Sequence, residues 1–257
     1  MTRATIACVL LLLAAPARAQ LAAVDRAVID DLVAASRILA DQGVVDAFGH
    51  VSVRHPRNPG RYVMSRNLAP ALVTAADLVE YDLDSNAIDP AAPAGFLERP
   101  IHGEIYRARP DVNAVVHSHS PSVVPFSVSA VPLRPVYHMA GFLAGGVPVF
   151  EIRQAAGMTD LLIRNAALGA ALARTLGARP VALLRGHGNV VAGNSIQQVV
   201  YRAVYTEMNA RLQQAAIALG GPVTYLEQEE GDKFDATIQG QIRRPWELWK
   251  EQALRAR

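Results

Sequence analysis

The chain has 257 residues, 51% of them apolar, and a formal net charge of +2. That is enough apolar sequence for one sizeable core, and the apolar runs are spread evenly with no linker to split them, so one domain is expected. Basic residues are scattered, with no run longer than Arg243-Arg244 and no aromatic platform among them, which excludes a nucleic-acid surface.

The first nineteen residues read apart from that domain. Arg3 gives a minimal basic start, Ile6 to Ala15 an apolar run, and Ala17-Arg18-Ala19 a small-x-small cleavage site. The expectation is a signal peptide over 1–19, a mature domain over 20–257, and a periplasmic or secreted location. The apolar run is too short for a membrane span and no later stretch reaches about eighteen apolar residues, so no membrane association is expected once it is removed. Its removal takes the only cysteine, Cys8, and two arginines, which brings the net charge from +2 to zero.

Along the mature chain, Val28, Leu32, Val33, Ile38 and Leu39 give a helical period from Val24 to Asp41. Ala47 to Val53 and Arg61 to Met64 read as a strand pair across the turn HPRNPG. Gly49 there suits a close approach to a ligand, and His50 and Ser52, two apart, would face one cavity. Thr74 to Asp77 looks like a helix start feeding a strand from Val79 to Leu83, and Asp84 to Gly95 is turn-rich. Ser122 to Val128 and Val131 to Val136 fit a helix or strand at the sheet margin, Gly141 to Gly146 a flexible loop, and Val147 to Ile152 a short strand. Helical spacing then runs from Thr159 to Leu176 and, after a cap at Ser195, from Ile196 to Leu219. Tyr201 and Tyr205 share a face of the latter, suited to the core or to a neighbouring subunit. In the charged helical tail from Glu227, Trp246 and Trp249 would staple it to the body or to another subunit.

The densest chemistry lies between Glu98 and Pro121. Asn113 to His119 reads as a buried strand, and side chains two apart on a strand share a face, so His117 and His119 can grip one ion together. Two imidazoles are too few for a tight divalent site, and His187, in the glycine-flanked turn after the apolar run Val181 to Leu184, is the best third ligand. Glu98 stands just before Pro100, which suits the first turn of a helix through Arg107, so its carboxylate sits on a connecting loop able to reach a metal. Gly186, Gly188 and Gly193 do not match the dinucleotide fingerprint, which removes a nicotinamide reading.

GHVSVR (49–54), the isolated Glu98 before a helix, RPDVNAVVHSHSP (109–121) and RGHG (185–188), in that order, resemble the class II aldolase/adducin family from about Leu32 to Leu219. The resemblance implies a single-domain three-layer α/β/α sandwich around a mixed, mainly antiparallel sheet, assembled as a homotetramer. It implies a divalent zinc or manganese ion on His117, His119 and His187, and a catalytic acid/base at Glu98. Members that cleave phosphosugars bind phosphate through a Gly-Asn pair, a Ser-Gly turn and a Ser-Ser pair; this chain has Gly49-His50, Ser65-Arg66 and Phe96-Leu97 instead.

The changes remove small hydroxyl donors and add an imidazole, an apolar wall and a guanidinium built for carboxylates. The pattern looks more like the family's aromatic-acid decarboxylases, such as the hydroxypyridine-dicarboxylate decarboxylases. The expected activity is therefore a metal-dependent carbon–carbon lyase decarboxylating a small hydroxy or oxo acid. Gly49, His50, Ser65, Arg66, His102 and His138 are the expected substrate contacts, and His102 and His138 stand next after Glu98 as acid/base. The alternatives are retro-aldol cleavage of a sugar or sugar phosphate, and a non-catalytic adducin-like or metal-binding protein.

Overall fold

The computed structural model describes residues 24–255, so the signal segment lies outside the described residues. Among those described, one seven-stranded sheet is built from β1 (His50–Arg54), β2 (Arg61–Ser65), β3 (Leu78–Asp82), β4 (Ala114–Ser118), β5 (Val149–Phe150), β6 (Val181–Leu184) and β7 (Gly188–Gly193). Their order is β3-β2-β1-β4-β7-β6-β5, antiparallel throughout except for the parallel β5–β6 edge. The helices are α1 (Arg26–Asp41), α2 (Pro100–Ala108), α3 (Val124–Val128), α4 (Ile152–Ala156), α5 (Ala166–Leu176), α6 (Ile196–Ala218), α7 (Gln228–Ile238) and α8 (Arg243–Arg255).

Strand alternation divides the core into two. Val51, Val53, Val116 and Val191 face Leu32 and Ile38 of α1, Val200 of α6, and Trp246 and Trp249 of α8. Tyr62, Met64, Val115 and Val190 face Ile101 and Ile105 of α2 and Leu172 and Leu176 of α5. Apart from Val149 on the β5 edge, the strands are buried on both sides because helices cover both faces, which makes the domain a three-layer α/β/α sandwich. The tail belongs to this body: both tryptophans are buried and Lys250 pairs with Asp31 of α1 at 2.5 Å. Tyr201 is core and its hydroxyl donates to the Met139 carbonyl; Tyr205 is partly buried beside it. Among the described residues no helix is long and apolar enough to cross a membrane.

Four local expectations are corrected. Residues Val131–Val136 form no regular element, and His138–Leu143 is a 3-10 segment rather than a glycine-loosened loop. The strand expected over Val147–Ile152 is only Val149–Phe150, because Glu151 accepts the Arg153 amide and starts α4 at Ile152. The helix expected over Thr159–Leu176 begins only at Ala166, where Asn165 caps it by accepting the Leu168 amide at 2.9 Å. The side chains of Thr159 and Asp160 instead take the Leu161 and Leu162 amides, and Leu161 sits at φ 69°, a left-handed conformation costly for a branched residue.

Candidate metal centre and active site

Register builds the site. His50 on β1 lies opposite His117 on β4, and His117 lies opposite Val190 on β7, so His50, Ser52 and His117 all stand on the face that α2 covers. The β6–β7 turn delivers His187 to the same place, its ring 5.0 Å from that of His117, centroid to centroid. Gly188 permits this: a β-carbon there would lie 2.0 Å from the Ser118 carbonyl oxygen. Gly49, at φ +95°, is required for a similar reason, since a β-carbon would meet Val45 at 2.6 Å and the His117 carbonyl at 3.1 Å. Its structural service is to chain packing.

One ligand atom from each of Glu98, His117, His119 and His187 lies within 4.8 Å of the others. The tautomers follow from the outer partners. The Nδ1 of His117 faces the Asn189 carbonyl and that of His187 faces the Leu161 carbonyl, both at 3.1 Å. A carbonyl can only accept, so each neutral ring carries its proton on Nδ1 and turns a lone pair on Nε2 inward. The Nε2 of His187 meets the Nε2 of His119 at 3.0 Å, and Glu98 Oε2 lies 3.4 Å from the Nε2 atoms of both His117 and His187. His117 Nε2 is buried without any hydrogen-bond partner. Converging lone pairs repel unless a cation or protons stand between them, and three imidazoles with one carboxylate are a donor set suited to a divalent ion. The residues fit such an ion.

Glu98 is fixed from outside the cluster by the Ile163 amide, which donates to Oε1 at 2.9 Å. Burial is the strongest influence on its acidity and pushes it up, but positive charge facing it across His117 and His187, borne by protons on those nitrogens when no ion stands between them, outweighs it and holds the carboxyl well below its usual range. Burial, then His117 and His187, lowers His119 to about 4. The segment from Thr159 to Asn165 thus supplies two clamps, the Leu161 carbonyl and the Ile163 amide, that a helical reading of it hides. The cap residue Asn165 was the available signal. Asn189 and Glu207 were also missed: Asn189 Oδ1 accepts from Ser118, and Glu207 accepts from the Ser120 hydroxyl and the Ser122 amide, tying the loop after β4 to α6.

A second polar group lies against the first. His102 of α2, fully buried, has Nε2 at 2.7 Å from His50 Nδ1 and Nδ1 at 2.6 Å from Ser52 Oγ, which in turn meets the Tyr106 hydroxyl at 2.7 Å. His102 and Tyr106 are four apart on one helical face. Burial, then the neighbouring His117, drives His102 down to about 3; burial, then His102 and His117, puts His50 well below the ordinary value, so both rings are neutral. Arg54 secures α2 by donating to the Tyr106, Arg109 and Val112 carbonyls at its C-terminal end. Of the other expected contacts, Ser65 is buried at the end of β2, and Arg66 pairs through Nε with Asp77 at 2.7 Å. His138 is not gathered into either group; it is exposed and packs against Tyr137 and Phe234.

The family profile described as the class II aldolase and adducin N-terminal domain matches residues 30–214. The chain belongs to the class II aldolase and adducin family. It is 42% identical to decarboxylase tropJ of Talaromyces stipitatus over 82% of this chain and 88% of that protein. It is 36% identical to the 3,4-dihydroxyphthalate decarboxylase of Arthrobacter keyseri, over 73% of this chain and 77% of the other. Human beta-adducin is 26% identical over 70% of this chain but only 25% of its own length. The fold matches the L-fuculose 1-phosphate aldolase of Glaciozyma antarctica with a TM-score of 0.72, 22% identity and 88% of each chain covered. Within the family the chain is an enzyme of the lyase group, with a His/Glu cluster that could hold a metal.

Proposed function

We propose that this lyase decarboxylates a small hydroxy-aromatic acid. The observation that carries the reading is the 42% identity to a decarboxylase over most of both chains, together with the gathered Glu98, His117, His119 and His187. The three histidines would hold one zinc or manganese ion. When bound, that ion supplies positive charge which stabilises negative charge developing on a substrate oxygen.

The rest is work for the chain's own residues. Because the Ile163 amide occupies Oε1 of Glu98, Oε2 is the oxygen available to move a proton. Held ionised, Glu98 first accepts the proton of the substrate hydroxyl and then returns it to the ring carbon that bears the carboxylate. The carbon–carboxylate bond breaks, its electron pair passes through the ring to the oxygen that lost the proton, and carbon dioxide leaves. A proton from water later restores the hydroxyl. Asp77 engages only Nε of Arg66 among the described residues, and the remaining guanidinium nitrogens would take the substrate carboxylate.

The deciding experiment is turnover of the zinc- or manganese-loaded protein on hydroxy-aromatic acids and on sugar phosphates, with carbon dioxide and aldehyde measured in the same reactions. Aldehyde without carbon dioxide replaces this reading with retro-aldol cleavage, and neither product returns the adducin-like one. The reading also includes export, with cleavage after Ala19 so that the mature chain starts at Gln20, and assembly as a homotetramer. Terminal sequencing of cell-derived protein and light scattering test these; an intact Met1 or a monomeric mass removes the respective claim.

A further inference from the structure

The paired group beside the ligand cluster contains a direction. Tyr106 is buried, its hydroxyl meets Ser52 Oγ at 2.7 Å, and the other group facing it is the Val115 backbone amide, which can only donate. A buried phenol donates its proton where it has an acceptor, so Ser52 receives it and must pass its own hydrogen to His102 Nδ1. A neutral His102 that accepts at Nδ1 carries its proton on Nε2, and donates it to His50 Nδ1. His50, accepting there, is left with its proton on Nε2. That atom has no partner among the described residues and, unlike His117 Nε2, is not sealed from solvent. The ring stands 5.1 Å from His117 and 4.5 Å from Phe96, centroid to centroid, so its open edge borders the ligand cluster beside an aromatic wall.

We infer that His50 is a catalytic residue presenting an Nε2–H donor to an anionic oxygen of an aromatic acid, and that Tyr106, Ser52 and His102 are positioning residues that fix this tautomer. The substrate class rests on the decarboxylase reading; the tautomer does not. A neutral donor beside a phenyl ring selects a flat, acceptor-bearing anion. A lone imidazole in water would be free to present either nitrogen, and the hydroxyl relay removes that freedom.

The test uses the full chain, zinc-loaded and labelled with 15N histidine, with salicylate as the probe. The His50 proton is expected on Nε2, and its resonance should move when salicylate is added. His50→Leu should weaken salicylate binding about tenfold or more, the scale of a hydrogen bond to a charged group, while His50→Gln, whose amide still donates, should restore most of it. Tyr106→Phe removes the obligatory donor without touching substrate, so His50 should then exchange between tautomers at unchanged zinc content.

A proton on Nδ1 of His50 in the unmodified protein, or an Nε2–H signal indifferent to salicylate, overturns the inference even if the variants do not fold. Failure to release carbon dioxide from hydroxybenzoates, with the salicylate response intact, instead removes the decarboxylase reading and leaves the donor in place.

Discussion

Two histidine groups share one face of the sheet, and they differ in how their nitrogens are used. In the His50–Ser52–His102–Tyr106 group each inner polar atom meets another member at 2.6–2.7 Å, so the group satisfies itself. In the Glu98–His117–His119–His187 group the outer nitrogens of His117 and His187 are bound to carbonyls while the inner ones converge as lone pairs, one of them buried with no partner. Both groups are built on imidazoles, but His119 and His187 are partly exposed where His50 and His102 are buried. What separates a self-paired relay, open only at His50 Nε2, from a ligand cluster is whether its inner hydrogen bonds close, because an unpaired buried acceptor costs about 1–3 kcal/mol unless something else satisfies it.

The sharpest way to break this comparison is to delete one inner lone pair. His117→Ala, His119→Ala and His187→Ala should each lose bound metal and all measurable turnover together, read by metal analysis and assay of one preparation. Full occupancy in any of them takes that residue out of the ligand set. Glu98→Gln should be nearly as damaging to rate but not to binding. The amide oxygen can still accept from Ile163, so the fold and metal should persist while turnover falls about 10²- to 10⁴-fold. Near-normal turnover in a folded, metal-loaded Glu98→Gln protein moves the acid/base role elsewhere.

His102→Ala should give the opposite profile. It leaves His50 Nδ1 without its partner and Ser52 with Tyr106 alone, and should cost about 2–4 kcal/mol of stability, seen as a lower Tm, at unchanged metal content. The same residue gives a pH signature in chelator-treated protein. Its folded pKa, about 3, lies below the unfolded value, so the unfolded chain takes up a proton first as pH falls. Stability is therefore undiminished above about pH 6.5 and declines by about 1.4 kcal/mol per pH unit per such histidine down to the folded value. A chemical-denaturation series from pH 7 to 4 should show this slope, and His102→Ala should make it shallower; an unchanged slope would mean that His102 is not a buried neutral ring.

The smallest effect is expected at Arg66, which belongs to neither group. Arg66→Lys should keep metal and stability but raise KM for an aromatic acid about tenfold, since an ammonium cannot reproduce a two-pronged contact. Unaltered KM would leave Arg66 as the partner of Asp77 only.

Much of this was readable from the chain alone. Alternation in β4 put His117 on the face that α2 covers, with His119 just past the end of the strand beside it, the proline at position 100 placed Glu98 at the mouth of α2, and the strand and helix periods gave an α/β body with its capped 23-residue α6. These are local matters, set by the two-residue and 3.6-residue periods of the backbone. Tertiary structure decided the rest. Periodicity states which way a strand's side chains point but not which strands pair, so only the order β1-β4-β7 brings residues 50, 117 and 187 together. The apolar spacing through Leu161 and Leu162 fits a helix equally well; that stretch stays unwound because its backbone has better partners elsewhere. The Leu161 carbonyl is spent on His187 and the Ile163 amide on Glu98, and Asn165 starts the helix only after both are bound. Which nitrogen of each histidine bears the proton is likewise fixed by neighbours far away in sequence, the Asn189 carbonyl for one ring and the Tyr106 hydroxyl for another.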